Sequence, residues 1–259
     1  MNNFLAVMRT RVLKRVEQIS LLLEEASSQH LNFCHIFEDK SSPAIIAEIK
    51  FASPSQGAIY PGSLTPVQLA ENYCTHGARA LSVLTEPYFF RGDIQYIRQI
   101  RSAFPLCPIL LKDFILHPLQ IKQAQVFGAN AVLLIVAFLT PALLQELYTY
   151  AVSLNLTPLV EVHDAEELSL ALELKPKIIG INNRNLRSLA VALQTSYQLI
   201  QLIPDTVFAV CESGISTCRE IKAMITAGFD GLLIGSKLMQ SPQPGEVLSA
   251  LLKEYPDAL

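Results

Sequence analysis

The chain contains no tryptophan, few charged residues and no long apolar segment. Asp, Glu, Lys and Arg together make up 17% of its 259 residues, whereas 51% are hydrophobic. This composition supplies ample material for a folded core and excludes an intrinsically disordered protein. The longest apolar run, residues 131–139, is shorter than the roughly 20 residues of a membrane-spanning helix. We therefore expect a globular protein with no membrane partner.

The chain also lacks an excess of positive charge and a paired-cysteine pattern. Its formal net charge is −3, so we expect no nucleic-acid partner. The five cysteines include no C-x-x-C pair and have no histidine at metal-ligand spacing, which predicts reduced thiols, no metal site and a cytoplasmic location. Cys211 lies in an apolar run, and we interpret it as a core residue because the sequence ties no histidine to it.

Short apolar runs, often rich in β-branched residues, recur along the chain. Continuous runs of this kind are typical of parallel strands covered on both faces. The eight runs are residues 45–50, 80–86, 108–113, 131–137, 158–163, 177–182, 208–213 and 231–236. Segments with helical spacing separate them, and Gly77, Gly128 and Gly228 stand where three helices would end. This alternation predicts an α/β fold, a (β/α)8 TIM barrel, with a doubly wound sheet as the alternative.

A separate helical pattern precedes the first predicted strand. Apolar residues recur every three or four positions from Leu5 to Ile19, which predicts an amphipathic helix. The segment lacks the continuous apolar core of a secretory signal, although an organellar transit peptide stays open. We expect a single domain, 1–259, in which residues 1–42 form an N-terminal helical extension and residues 43–259 the barrel.

Charged and polar side chains collect at the carboxyl ends of the predicted strands. Five strands end in this way, with Glu48 and Lys50, with Lys112 and Asp113, with Glu161 and His163, with Asn182 and Arg184, and with Glu212 and Ser213. Residues two apart share a strand face, so Glu48 and Lys50, for example, point the same way. One such pair is more often an ion pair of the rim. Five strands with this feature favour an active site, because barrel enzymes build theirs at that end.

Small residues follow the last two predicted strands. Ser213-Gly214 and Gly235-Ser236 allow backbone N–H groups to approach an anion closely. Either glycine alone would also fit an ordinary tight turn. Together they match the usual phosphate position of a TIM barrel, so we expect a small phosphorylated substrate.

Seven segments resemble the indole-3-glycerol phosphate synthase family, from about residue 43 to the C-terminus. The A-E-I-K…S-P-S and I-N-N-R-N-L elements are the most specific. The segments are IIAEIKFASPSQGAI (45–59), ALSVLTEPYFFRG (80–92), PILLKDF (108–114), GANAVLLIVAFL (128–139), LVEVHDAEEL (159–168), IIGINNRNL (178–186) and ESGI (212–215). The resemblance implies a carboxy-lyase of tryptophan biosynthesis that needs no cofactor. It would cyclise, decarboxylate and dehydrate 1-(o-carboxyphenylamino)-1-deoxyribulose 5-phosphate to indole-3-glycerol phosphate.

The resemblance also implies roles for individual residues. Lys112 would be the general acid that protonates the ribulose carbonyl, a role suited to a lysine whose pKa is lowered by partial burial. Glu161 would act in the proton transfers of dehydration, and Lys50 would pair with the substrate carboxylate or phosphate, or supply a proton. The other catalytic residues would be Glu48, Asn182 and Ser213; the substrate would contact Ser53, Phe89, Phe114, Arg184 and Glu212; the phosphate would bind at Gly214, Gly235 and Ser236. His117 and His163 receive no role.

Two other functions stay open on sequence alone. Another phosphate-binding barrel enzyme, such as an isomerase or a Schiff-base aldolase using Lys112, would share the phosphate site, and borohydride would trap only the aldolase. A catalytically silent binding barrel would share the fold, although the complete polar set argues against it. Association with other enzymes of the pathway also stays open.

Overall fold

A closed barrel of eight parallel strands forms the centre of the computed structural model, which describes residues 4–19 and 31–253. The strands are β1 (Ala44–Ile49), β2 (Ala80–Leu84), β3 (Ile109–Lys112), β4 (Ala131–Ile135), β5 (Thr157–Val162), β6 (Ile178–Asn182), β7 (Phe208–Glu212) and β8 (Gly231–Ile234). Each strand pairs with the next along the chain, and β1 pairs with β8 to close the ring. The TIM-barrel prediction is confirmed, and the closed ring excludes the doubly wound sheet.

Helices alternate with the strands and form the outer layer. They are α1 (Phe4–Gln18), α2 (Pro66–Thr75), α3 (Gln95–Ala103), α4 (Pro118–Phe127), α5 (Pro141–Ser153), α6 (Ala165–Glu173), α7 (Gln194–Leu199), α8 (Cys218–Ala227), α9 (Ser236–Met239) and α10 (Pro244–Lys253). Gly128 and Gly228 end α4 and α8 with φ of 95° and 109°, as predicted for left-handed caps. Within the described residues, no helix is long and apolar enough to cross a membrane.

The two-residue period of the strands determines which side chains reach the barrel interior. Ile45 and Ala47 of β1 pack outward against the helices, whereas Ile46 packs into the interior. The same alternation places Leu110 of β3 and Leu159 of β5 inside. Two residues further along each strand, the same face carries Glu48, Lys112 and Glu161. Likewise, Val210 of β7 precedes Glu212, so apolar residues fill the lower barrel and charged residues its carboxyl end.

Helix α1 lies against the carboxyl end of the barrel. Its buried residues Met8 and Val12 confirm the amphipathic helix predicted from Leu5 to Ile19, which the structure places at Phe4–Gln18. The Arg15 guanidinium donates two hydrogen bonds, of 2.7 and 3.1 Å, to the carboxylate of Asp113, directly after β3. The ring of Phe4 meets the ring of Phe114 edge-on, at 6.0 Å between centroids. Residues 1–3 and 20–30 of the predicted extension lie outside the described residues.

Candidate active site

The carboxyl ends of the strands enclose a cavity of about 390 Å³. Its wall contains every predicted site residue except Ser53 and Phe89. The predicted residues that line it are Glu48, Lys50, Lys112, Phe114, Glu161, Asn182, Arg184, Glu212, Ser213, Gly214, Gly235 and Ser236. Apolar side chains, including Leu133, Ile135 and Leu233, close its floor. The cavity is therefore lined by charge near the strand ends and by hydrocarbon below, an arrangement suited to a substrate with one apolar and one ionic part.

The Lys112 ammonium lies between two carboxylates. Its Nζ atom is 3.1 Å from Oε2 of Glu161, and it also donates a hydrogen bond to Oε2 of Glu212. Burial lowers the pKa of Lys112, but the negative charges of Glu212, Glu161 and Glu48 outweigh this effect and raise it above its ordinary value. The expectation of a lowered pKa was therefore wrong, because it considered desolvation without the facing carboxylates. The surrounding carboxylates therefore favour the protonated form of Lys112.

The two carboxylates around Lys112 differ in their pKa. Glu161 and Glu212 are 2% and 1% exposed, so burial raises the pKa of both. For Glu161 the charge of Lys112 and the contact with His163 outweigh burial, and its pKa lies below the usual range. For Glu212 burial and the charge of Glu161 prevail over Lys112, and its pKa is raised. The site thus holds one carboxylate that is readily ionised and one that is not.

A second ion pair lies on the neighbouring side of the cavity. Lys50 donates to Oε1 of Glu48 at 2.5 Å, and both side chains are largely buried. A Cβ atom on Gly235 would overlap this carboxylate, and one on Gly180 would overlap that of Glu212. The two glycines therefore make room for carboxylates. Lys50 and Lys112 together present two ammonium groups to the cavity.

The loop after β6 and the end of β7 brace each other. Asn182 lines the cavity and accepts a hydrogen bond from the Arg184 backbone at 3.0 Å. The next residue, Asn183, is buried and donates to the carbonyls of Glu212 and Ser213. Ser213 itself has φ of 65°, a left-handed conformation that is strained in a residue with a side chain. Strain of this kind clusters at functional sites, and the Asn183 contacts hold it in place.

The aromatic wall differs from the prediction by one residue. Phe114 lines the cavity as expected, but Phe90 lies there in place of Phe89. The buried carboxylate of Glu86 accepts hydrogen bonds from the backbone N–H groups of Tyr88, Phe89 and Phe90 and so fixes this loop. In the fixed loop Phe89 packs on Phe4 of α1, with ring centroids 5.3 Å apart.

Ser53 also lies outside the cavity wall. Residues 52–53 and 57–58 form a small antiparallel hairpin, in which the Ser53 hydroxyl is 3.3 Å from that of Ser55. The hairpin is connected to the aromatic loop, because the Ala52 N–H donates to the carbonyl of Phe90 at 3.2 Å. Ser53 therefore pairs within the hairpin and does not line the cavity.

Comparisons with known proteins identify the family. A family model described as indole-3-glycerol phosphate synthase matches residues 2–251. The chain belongs to the indole-3-glycerol phosphate synthase family. The synthase of that name from Burkholderia vietnamiensis is 40% identical over 257 residues, covering 97% of this chain and 98% of the relative. The one from Albidiferax ferrireducens is 47% identical over 209 residues, covering 81% and 78%.

Membership in the indole-3-glycerol phosphate synthase family gives the reaction. The enzyme is a carboxy-lyase of tryptophan biosynthesis that acts on a small phosphorylated substrate. Solved structures agree on the fold alone: 3-hexulose-6-phosphate synthase from Salmonella typhimurium superposes with a TM-score of 0.65 at 13% identity, over 82% of this chain and 99% of that one. KGPDC from Streptococcus mutans gives a TM-score of 0.63 at 12% identity, over 82% and 97%.

Sequence reasoning missed some residues of the cavity wall and gave no role to His163. Leu186 and Val191 close the cavity from the loop after β6. Leu186 ends the I-N-N-R-N-L element, whereas no period or motif in the sequence marks Val191. His163 contacts Glu161, 3.4 Å from Nε2 to Oε1. The spacing of four residues between His163 and Glu167 was a signal in the sequence. In the structure Nδ1 of His163 is 3.0 Å from Oε2 of Glu167.

Proposed function

We propose that this cavity binds 1-(o-carboxyphenylamino)-1-deoxyribulose 5-phosphate and that the predicted residues divide the three chemical steps. The observation that carries the proposal is the placement of Lys112 between Glu161 and Glu212, above an apolar floor. A protonated, immobile ammonium beside a hydrophobic slot suits a reaction in which an aromatic ring carbon attacks a carbonyl. Preorganised charge of this kind stabilises the negative charge that develops on the carbonyl oxygen.

The cavity offers separate places for the two ends of the substrate. The anthranilate ring lies against Phe114 and the apolar floor, and Arg184 pairs with its carboxylate. The phosphate receives backbone N–H groups from Gly214, Gly235 and Ser236, because residues without large side chains let an anion approach the backbone. In this arrangement the ribulose chain lies between the two ends, beside the ammonium groups of Lys50 and Lys112.

Ring closure uses Lys112 as the general acid. The ring carbon that carries the carboxylate forms a bond to the ribulose carbonyl carbon. The carbonyl oxygen takes a proton from the Lys112 ammonium and becomes a hydroxyl. Loss of carbon dioxide then returns the bonding electrons to the ring system. Glu212 and Glu48 hold the lysines in position during this step.

Dehydration uses Glu161 and a lysine. The Glu161 carboxylate accepts a proton as the indole double bond forms, and the hydroxyl leaves as water with a proton from an ammonium, for which Lys50 is the candidate. Asn182 and Ser213 hydrogen-bond the substrate and complete the polar wall. The low pKa of Glu161 supports this assignment, since a base must be ionised before it can accept a proton.

Indole fluorescence tests the proposal directly, because the chain has no tryptophan to obscure the product signal. The wild type should generate fluorescence from the substrate, and Lys112→Ala and Glu161→Gln should each lose about 10²–10⁴-fold in kcat, as is usual for a general acid or base. The exposed Lys222→Ala on α8 is the matched control and should retain full activity. Full activity in Lys112→Ala would refute its role. Substrate-dependent trapping by borohydride would instead support a Schiff-base reaction.

We also propose that residues 1–42 belong to the same single domain as the barrel. The contacts of Arg15 with Asp113 and of Phe4 with Phe114 support this for α1. Free cysteine thiols and the small-molecule substrate support a cytoplasmic enzyme without a nucleic-acid or membrane partner. Separate unfolding transitions for α1 and the barrel would contradict the single-domain proposal.

A further inference from the structure

His163 connects the cavity to helix α6 without lining the cavity itself. Its Nδ1 atom is 3.0 Å from Oε2 of Glu167, and its backbone N–H donates to the same oxygen at 2.8 Å. On the other side of the ring, Nε2 is 3.4 Å from Oε1 of Glu161, in an orientation that gives an electrostatic contact rather than a hydrogen bond. The imidazole is thus sandwiched between two carboxylates, with its side chain 11% exposed.

The charges around the ring make it a cation. Burial lowers the pKa of His163, but the contacts with Glu161 and Glu167 outweigh burial and raise it to about 10. A protonated imidazole carries N–H on both nitrogens, which matches a carboxylate on each side. Glu167 is anchored in turn, because its backbone N–H donates to the side chain of Asp164 at the N-cap of α6. Helix α6 therefore fixes the position of the cation.

We propose that His163 is a positioning residue: its imidazolium keeps the Glu161 carboxylate ionised and directed at Lys112, and so determines which of the two carboxylates around Lys112 is the base. The inference rests on the proposed role of Glu161 in dehydration. The residue that selects Glu161 as the base therefore lies outside the cavity wall and acts through Glu161 alone.

The difference between Glu161 and Glu212 supports this. Both are buried to the same degree and both contact Lys112, which lies closer to Glu212, so neither burial nor Lys112 explains why the pKa of Glu161 is the lower one. Only Glu161 has a second cation, whereas Oε1 of Glu212 is buried without a hydrogen-bond partner among the described residues. Two carboxylates that share one cation cannot both ionise easily, so a second cation beside one of them decides the distribution of charge.

The groups that face this cluster can be named from each element. Lys112 from β3, Glu212 from β7 and the neutral Asn182 from β6 face Glu161, in addition to His163. Glu48 from β1 acts on the cluster through Lys112. On its far side His163 faces Glu167 of α6. Among these groups, Lys112 and His163 are the cations, and loss of either should raise the pKa of Glu161.

Removing the imidazolium should therefore change the pH profile. An opposite charge at this distance typically lowers a carboxyl pKa by roughly 1–3 units, so in His163→Gln the acidic limb of kcat should move upward by about that amount. On the acidic side of the profile the kcat of the variant should fall below that of the wild type by about 10-fold per unit of the shift, and at pH 7–9, where Glu161 is ionised in both proteins and Lys112 is still protonated, the two should agree. The KM should change little, because His163 does not line the cavity.

The test compares pH profiles of kcat for the wild type, His163→Gln, His163→Lys and His117→Gln. His163→Lys retains a cation and should restore the wild-type acidic limb. His117→Gln is the matched control, because His117 caps the start of α4 by accepting from Leu119 N–H and has no part in the cluster. Glu167→Gln provides a second variant, which frees the imidazole from α6 and should move the limb in the same direction by less.

The possible outcomes separate the inference from the function on which it rests. Full turnover in Glu161→Gln would refute the role of Glu161 itself. An inactive Glu161→Gln combined with a wild-type pH profile in His163→Gln would leave that role intact and overturn the inference. A loss of kcat in His163→Gln that is equal at all pH values, or that His163→Lys fails to restore, would also overturn it, because a purely structural role predicts that result.

Discussion

Replacing Lys112 by methionine should show how strongly the buried charges at the strand ends affect the stability of the barrel. The Lys112 ammonium contacts Glu161 and Glu212, and all three side chains are nearly inaccessible to solvent. Methionine has a similar length and an apolar stem, so it removes the charge without leaving a large cavity. The expected effect is therefore electrostatic.

The magnitude follows from the carboxylates that remain. Removing one partner of a buried ion pair typically costs about 3–5 kcal/mol, because a charge is left buried without compensation. Here the cost should fall near the lower end, about 3 kcal/mol at pH 7. One reason is that His163 still compensates Glu161. The other is that the raised pKa of Glu212 lets this group bind a proton more readily than an exposed glutamate.

The sign of the pH dependence can be worked out for both proteins. In the wild type the pKa of Lys112 is higher in the folded than in the unfolded state, so its contribution is fully present below its unfolded pKa of roughly 10.4 and is lost only above it. In the variant, Glu212 lacks its contact with Lys112, and its folded pKa rises further above the unfolded value. Because the folded pKa of Glu212 is about 8 in the wild type, both proteins lose stability in parallel as the pH rises from roughly 4.3, the unfolded pKa of a glutamate, and only the variant continues to lose stability above about 8.

Urea unfolding followed by circular dichroism at pH 5, 7 and 9 measures these differences. The stability gap between wild type and Lys112→Met should be similar at pH 5 and 7 and largest at pH 9. Lys222→Met, at an exposed position of α8, controls for the chemical change alone. A gap that stays constant across this range would refute the electrostatic reasoning, and so would a variant as stable as the wild type at pH 7.

Three further substitutions test other parts of the structure. Arg15→Met should lower the free energy of unfolding by about 1–3 kcal/mol, because it leaves the buried Asp113 without its bidentate partner; chemical denaturation measures this, and an unchanged midpoint would contradict the docking of α1. Gly180→Ala should reduce kcat by roughly 10-fold or more, since the new methyl overlaps the carboxylate of Glu212; steady-state kinetics that match the wild type would show that the carboxylate can move freely. Phe114→Leu should raise KM about 5–30-fold, equivalent to about 1–2 kcal/mol of lost ring contact, with a smaller effect on kcat; a changed kcat at constant KM would exclude a binding role.

The eight strands could be predicted from sequence because burial on both faces leaves a continuous apolar signal. The observed strands all fall within or next to the predicted runs, for instance Ile178–Asn182 against residues 177–182. The two-residue period then placed Glu48 and Lys50 on one face, and the structure joins them in an ion pair. Local patterns sufficed for these features because each depends on one strand and its immediate neighbours.

Features that depend on distant parts of the chain could not be predicted. The direction of the Lys112 pKa depends on Glu161 and Glu212, which lie 49 and 100 positions away. Phe90 rather than Phe89 lines the cavity because of the way in which Glu86 binds the loop backbone, and no sequence signal marks this contact. Contacts between distant strands depend on closure of the ring, and ring closure was inferred only from the number of predicted strands.

Closure of the barrel by β1 and β8 also has a consequence for the order in which the protein can fold during its synthesis. Ala44 pairs with Gly231, so the two residues that meet at this seam are 187 positions apart, 231 minus 44. At a ribosomal rate of roughly 5–20 residues per second, β1 waits on the order of 10–40 s for its final partner. During that interval the growing sheet has two open edges, each able to pair with another chain. The nascent enzyme should therefore be most prone to aggregation just before its eighth strand emerges, and least prone directly afterwards.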